Sequence, residues 1–546
     1  MLAENGALHG QAVSPLVLCR MSSVVPRSRT QQADLPVKEQ HLNILLVYPR
    51  YPDTFWSFRH ALKFIAKKAA YPPLGLLTVA SLLPREWEKK LVDLNADELH
   101  DEDIAWADYV FISAMDVQRQ SAHEVVMRCG QLGAKVVAGG PLFTTGHEEF
   151  PQVDHFVLGE AETLMPRLVA DLERGSAERF YQSDDKPDVR RSPIPAWDLI
   201  DTRKYATLSL QYSRGCPFDC EFCDIVLLNG RVPRTKDVRQ LIDELEAIHR
   251  LGCCSTVFIV DDNFIGNKKK LKAEVLPAII DWMKRHEYPF TLFTQASIGI
   301  ADDEELMRMM IDAGFDRVFI GIETPNEESL GECGKHQNAN RDLVASVRTL
   351  QNHGLEVQGG FIVGFDSDPA NIFERQISFI QQSGIVTAMV GILNAPRGTK
   401  LYMRLKQENR LLRDASSGDN TDFSLNFVPK MSREALVGGY KNVLTAIYSP
   451  RNYYARIGTF LREHRPVVHR RRTLKKRQFE ALLKSFWYLG IKEKGRTYYW
   501  RLVTSTLVRR PRSFPLAITL AVYGYHYRKL LDGYARAGAG SGPGRP

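Results

Sequence analysis

The sequence has no run of eighteen or more apolar residues, so no segment is predicted to cross a bilayer as a helix. The longest candidate, FPLAITLAVYGY at 514–525, is too short to span but has the composition to lie on a membrane surface. Nothing at the start pairs a charged opening with an apolar core, which argues against secretion and a disulfide framework. Cysteine is scarce, eight in 546 residues. No second Cys-x2-Cys or His-x3-His pair is present to complete a tetrahedral zinc site, and Cys253 and Cys254 are adjacent, a poor arrangement for two ligands of one metal. No general acid–base dyad and no nucleic-acid module motif stand out.

What is present is an ordinary globular composition, 44% apolar and 25% charged, with length for two or three domains. The charge is uneven. Residues 451–546 carry 22 Lys and Arg against 4 Asp and Glu, a surplus of 18 that exceeds the whole chain's +8 and leaves the first 450 residues at −10. A basic module on an acidic body predicts an anionic surface as partner. Three of the eight cysteines crowd into SRGCPFDCEFCDI, as Cys216-x3-Cys220-x2-Cys223. Three thiolates on one loop suit three corners of a 4Fe–4S cube, leaving the fourth iron open to bind and reduce something.

From 42 onward, apolar runs at 42–49, 90–95, 109–115, 135–141 and 155–160 alternate with helical patterns at 74–83, 118–131 and 162–173. This predicts an α/β, doubly wound, flavodoxin-like parallel sheet over 41–175. Ligands in such sheets sit beyond the carboxyl ends of the strands, which here carry Ser113, Gly139, Gly140, Gly159 and Glu160; ordinary turn residues are the competing reading. Residues 1–40 read as a disordered leader, with Met21 as a second start, and 176–205 as a linker. A second alternation over 206–400 predicts six βα units, a partial barrel with the cysteine loop leaving its first strand at the mouth. Residues 401–546 read as helical and basic.

The cysteine motif, with Phe222 before its last cysteine and this barrel around it, resembles the radical S-adenosylmethionine superfamily. The doubly wound domain ahead of it resembles the cobalamin-binding module of that superfamily's methylases, and RGCPFDCEFCDI with the basic tail is most similar to the branch of the hopanoid 2-methylases. The resemblance covers roughly 42–400. It implies that Cys216, Cys220 and Cys223 ligate a 4Fe–4S cluster whose open iron takes S-adenosylmethionine, and that cobalamin carries the methyl group. It implies further that Phe222 packs near the adenine, that Glu323 binds S-adenosylmethionine, and that Asp262, Gln295, Ser297, Gly359 and Gly360 face the same mouth. Other readings stay open: Glu323 as a surface carboxylate paired with Arg317, and Asp261 and Asp262 capping the next helix with Asn263. Cys19, Cys129, Cys253, Cys254 and Cys333 read as buried apolar residues. The sequence lacks the Asp-x-His-x-x-Gly loop that puts a histidine under cobalt, so a cobalamin here is expected without one.

The function this implies is methylation of an unactivated carbon of a small molecule or lipid, a polycyclic or isoprenoid lipid included. A reductant such as flavodoxin or ferredoxin supplies electrons, in the cytoplasm with peripheral contact to the inner face of the membrane. Two alternatives remain: a non-methylating radical reaction such as carbon–carbon coupling or ring formation, and an Fe–S protein that binds or modifies nucleic acid. Aromatic residues interleaved with the cations, as in FEALLKSFWYLG, favour a membrane over nucleic acid. Replacing Cys216, Cys220 and Cys223 together with Ala is expected to abolish the broad visible absorbance of anaerobically reconstituted protein and its formation of 5′-deoxyadenosine. Replacing Cys253 and Cys254 leaves both signals, and a triple variant that keeps both overturns the assignment.

Overall fold

Ile44, Leu45, Leu46 and Val47 are each fully buried, as expected of a strand covered on both faces. They form β1 (Asn43–Tyr48) in a computed structural model that describes residues 41–540 apart from 253, 254, 420, 422, 468 and 470–475. The expected leader 1–40, with Met21 and Cys19, and the pair Cys253 and Cys254 lie outside the described residues. Five further strands complete the first sheet: β2 (Glu88–Asp93), β3 (Tyr109–Ser113), β4 (Lys135–Gly139), β5 (His155–Leu158) and β6 (Phe180–Gln182). All pair in parallel, in the order β2-β1-β3-β4-β5-β6. This is the flavodoxin-like order, which reverses between β1 and β3. Leu45, Val110 and Val136 pack on one face under the helix Arg119–Gln131, while Leu46, Phe111 and Val137 pack on the other under Leu74–Leu82 and Ala161–Glu173.

The linker reading of 176–205 is corrected. It opens with β6, and Val189, Ser192, Trp197 and Tyr205 in it are buried, so the segment is packed between the two sheets.

The second sheet begins with β7 (Leu208–Leu210). A short antiparallel ribbon follows, β8 (Ser213–Arg214) with β9 (Arg234–Thr235), and then β10 (Thr256–Ile259), β11 (Thr291–Gln295), β12 (Phe315–Glu323), β13 (Glu356–Val363) and β14 (Ala388–Ile392). Six of these run in parallel in the order β14-β13-β12-β11-β10-β7, the two ends unpaired. That is a partial barrel. Strand alternation sends Val257, Ile259 and Leu292 outward to the helices and Phe258, Phe293 and Phe319 to the concave side.

Helices follow at Lys400–Gln407, Arg433–Tyr448, Pro450–Glu463, Lys476–Trp487, Arg496–Arg509 and Phe514–Gly540. The last corrects a second expectation. Ala517, Leu520, Ala521 and Tyr525 are buried, so 514–525 is core rather than a segment lying on a membrane. It packs on the beginning of the described chain: Phe58 meets Tyr523 and Tyr527 with ring centroids 5.0 and 6.2 Å apart, and Phe64 meets Tyr525 at 5.5 Å. Both regions belong to one unit with the barrel.

The fit is tight at Gly524, where an added Cβ would stand 2.2 Å from Cε1 of the buried Tyr453. The Tyr453 hydroxyl donates to the Leu520 carbonyl at 2.8 Å, which fixes the ring. Gly524→Ala is therefore expected to cost roughly 1–3 kcal/mol, because overpacking outweighs the gain of about 1 kcal/mol in helix propensity. Gly533→Ala, with nothing within 4 Å of the new methyl, keeps only the gain. Chemical denaturation of the two variants checks the contrast.

Candidate active site

The cysteine loop leaves the barrel through Gly215, whose φ is +97°. A Cβ there would come within 2.9 to 3.1 Å of the carbonyls of Gly230, Val232 and Asn229, so the turn into Cys216 requires glycine. Asp261 and Asp262 hold this turn. Asp261, fully buried, accepts from the Tyr212 amide at 2.8 Å and the Ser213 hydroxyl at 2.5 Å, and burial raises its pKa to about 7. Asp262 accepts from the Gly215 amide at 3.2 Å and the Asn229 side chain at 3.0 Å. Neither caps a helix, and the Asp262 carboxylate is engaged by the loop itself rather than presented to the mouth.

Before the loop stands Arg214, and around it lies an ion-pair network that sequence reading misses. Its guanidinium donates to Glu160 at 2.8 Å and to both oxygens of Glu162 at 2.7 and 2.9 Å. Arg234 takes Glu160 from the other side at 2.6 and 3.0 Å. Burial would raise the pKa of Glu162, but Arg214 and the Ser192 hydroxyl hold it at about 2. Glu160 is thereby corrected: it closes the first domain onto the root of the cysteine loop instead of lining a ligand face.

The far side of the loop is pinned as well. Glu221, between Cys220 and Phe222, accepts from Arg404 at 2.6 and 3.0 Å, and its amide donates to the Cys333 carbonyl at 2.9 Å. Phe222 packs against Phe365 at 6.1 Å.

The cysteines are partly buried and unbridged. Burial raises the pKa of the Cys216 thiol and pushes that of Cys223 up to about 12; iron bound there would displace those protons. No group of three or more His, Cys, Asp or Glu among the described residues could hold a single metal ion. Three cysteines on one fixed loop fit instead a polynuclear cluster, whose corners are more widely spaced than the ligands of one ion.

Beside the loop, Glu323 ends β12 in the left-handed region, φ +62°, a conformation rare for a side chain of its size. It is buried, and Lys335 donates to it at 2.6 Å. Arg317 pairs with Asp316 at 2.9 Å, so the reading of Glu323 as a surface partner of Arg317 does not hold. Burial works against the charge on Lys335, but Glu323 and Cys220 raise its pKa beyond that loss. Gln337 reaches Cys220 Sγ at 3.8 Å. Lys335 and Gln337 lie in no motif that would mark them in the sequence.

Of the remaining expected positions, Gln295 ends β11 and is half-buried. Ser297 donates its amide to Asn263 at 3.1 Å, on the rim of a cavity of about 610 Å³ that also includes Phe218, Gln337 and Arg341. Gly360 faces the concave side, where a Cβ would meet Phe319 at 3.0 Å, whereas Gly359 backs onto Ile385 at 3.1 Å. Gly359 is thus corrected to the outer face, since neighbours on a strand point opposite ways.

In the first domain, Gly140 has φ +90°, and a Cβ there would stand 2.6 Å from Ser113 Oγ. Gly139 packs against Val157, and the Gly159 amide donates to Thr144 at 3.1 Å. The residues after β1, β3, β4 and β5, at 49–53, 114–118, 140–141 and 159–160, contain no histidine, so a cobalamin seated there fits only without a histidine ligand from those loops.

Three stretches of the chain match known families. Residues 66–169 match the B12 binding domain, 210–379 the Radical SAM superfamily, and 399–537 a domain of unknown function, DUF4070. The chain is 39% identical to an uncharacterized methyltransferase of Synechocystis sp., over 90% of this chain and 92% of that protein. It is 34% identical to the hopanoid C-2 methylase of Rhodopseudomonas palustris, over 85% and 89%. Among solved structures it shares its fold with the cobalamin-dependent S-adenosylmethionine radical enzyme OxsB (TM-score 0.58, 15% identity, 91% of this chain and 80% of that one). The methyltransferase TsrM of Kitasatospora setae is similar too (TM-score 0.57, 14%, 91% and 100%). The chain belongs to the cobalamin-dependent radical S-adenosylmethionine methylases, in the branch that contains the hopanoid C-2 methylase. The cofactors of this family are a 4Fe–4S cluster, S-adenosylmethionine and cobalamin.

Arg214→Met leaves Glu162 buried without its counter-charge, a loss expected to be about 3–5 kcal/mol. Because the folded pKa of Glu162 lies below its unfolded value, this contribution is complete above the unfolded pKa and fades as pH falls toward about 2. The gap in urea midpoint between wild type and variant should therefore be widest near neutrality and narrow in acid.

Proposed function

We propose that this enzyme methylates an unactivated carbon of a polycyclic or isoprenoid lipid. When bound, the cofactors supply radical generation and the methyl group; the chain's own residues bind, orient and exclude water. Cys216, Cys220 and Cys223 hold the cluster, and Glu323 with Lys335 receives the charged end of S-adenosylmethionine. Ser113, Gly139, Gly140 and Gly159 support the corrin. Electrons come from a small reductant such as flavodoxin or ferredoxin, and the enzyme works at the inner face of the membrane.

The observation that carries the lipid reading is the aromatic lining of the concave face. Trp56, brought in by the first domain, meets Phe319 at 5.1 Å, and Tyr71 meets Phe258 at 5.5 Å, which stacks on Phe293 at 4.2 Å and 5°. Such a surface favours a broad apolar substrate over a charged one. The hopanoid methylase among the relatives supports the same class.

Anaerobic turnover with extracted lipids should yield 5′-deoxyadenosine and S-adenosylhomocysteine in equal amounts, with a methylated lipid in the mass spectrum. Deoxyadenosine without S-adenosylhomocysteine would instead favour coupling or ring formation. The cob(II)alamin resonance of the loaded enzyme should show no nitrogen splitting from a lower imidazole.

A further inference from the structure

The region 399–537 matches a domain to which no function is assigned, and it bears an unusual surface. The helix Lys476–Trp487 and the turn that continues it to Lys492 present Phe479, Leu483, Trp487 and Ile491 at four-residue spacing, exposed by 54, 50, 50 and 52%. This is one stripe. The next helix, Arg496–Arg509, is bound alongside: Phe486 stacks on Trp500 at 5.4 Å, and the Trp500 indole donates to the Gly490 carbonyl at 3.0 Å. It adds the exposed side chains of Trp500, Leu507 and Val508.

Cations surround these apolar groups. Residues 476–512 hold ten Lys and Arg against two Glu. One of the two, Glu493, is taken up by Arg528 at 2.7 Å. Lys492, Lys494, Arg496, Arg501, Arg509 and Arg512 have no ion-pair partner among the described residues; Lys492 instead lies 5.1 Å over the Trp487 ring. The first domain extends the surface through Lys63, whose carbonyl accepts from Lys484 at 3.1 Å and whose ammonium lies 4.9 Å over Tyr488.

We infer that this two-helix face docks on an anionic lipid bilayer. Cations held around half-exposed aromatic and aliphatic side chains match the headgroup layer and the acyl boundary beneath it. A second copy of the chain would bring like charges together, and an RNA would leave the Phe479–Ile491 stripe in water. The inference accompanies the lipid-substrate reading without depending on it, because docking is measured on vesicles that carry no substrate.

The test is flotation of full-length protein with phosphatidylcholine vesicles, with and without phosphatidylglycerol. Protein should float with the anionic vesicles at low salt, stay down with the neutral ones, and be released mostly but not wholly by high salt. Leu483→Ser with Trp487→Ser should weaken binding at least about tenfold. Met127→Ser with Leu132→Ser, exposed apolar positions on the first domain, should leave it unchanged. Brominated acyl chains should quench the share of tryptophan emission that the mild variant Trp487→Phe removes, a readout that does not depend on the double variant folding. Wild type that stays down, or that floats equally well with Leu483 and Trp487 replaced, overturns the inference. So does protein that self-associates through the stripe, or that binds RNA and ignores vesicles.

Discussion

Arg214 is the residue on which the site's geometry depends. Its charge is buried against Glu160 and Glu162, two carboxylates of the first domain, and it lies two residues before Cys216. Buried ion pairs are weak devices for net stability but strong ones for fixing a single arrangement, since removing either side strands the other charge. Here the arrangement fixed is the seam between the B12-binding domain and the loop that carries Cys216, Cys220 and Cys223. The loop's other flank is held by Arg404 on Glu221. Its root is held by Asp261 and Asp262. The three cysteines are thus anchored from the first domain, from the barrel and from the helical region together, with no helix or strand of their own.

The same logic explains the chemistry around Glu323. Its left-handed backbone turns the carboxylate toward Lys335, and Gly321 gives it room: a Cβ at 321 would stand 2.2 Å from Glu323 Oε1. The buried Lys335 ammonium and Glu323 carboxylate are held against each other beside Cys220, a pairing that low dielectric strengthens.

Both parallel sheets were legible in the sequence because strands such as β1, β3, β4, β10 and β14 are largely buried and so appear as short apolar runs. The three cysteines were legible because their spacing is itself the signal. The failures have equally physical causes. Phe180–Gln182 is too short for any periodicity, and it is held by pairing with β5. Two adjacent glycines erase the in–out alternation that would have assigned Gly359 and Gly360 to opposite faces. Glu160 looked like a ligand residue because its partners, Arg214 and Arg234, lie 54 and 74 positions away. The aromatic, apolar stretch 514–525 has the composition of an interfacial helix, and only its contacts with Phe58, Phe64 and Tyr453 show that another part of the chain supplies the apolar surroundings. The exposed stripe lies some thirty residues earlier.

That closure between the two ends of the described chain constrains how the protein is made. Phe55, Phe58 and Phe64 emerge from the ribosome among the first residues of the first domain, yet the tyrosines that cover them, Tyr523, Tyr525 and Tyr527, lie in the helix Phe514–Gly540, made after the barrel. Domains fold as they are synthesised, so the nascent first domain carries an uncovered aromatic face while the whole barrel is made. Synthesis of the helix Phe514–Gly540, rather than completion of the first domain, is the event that buries it.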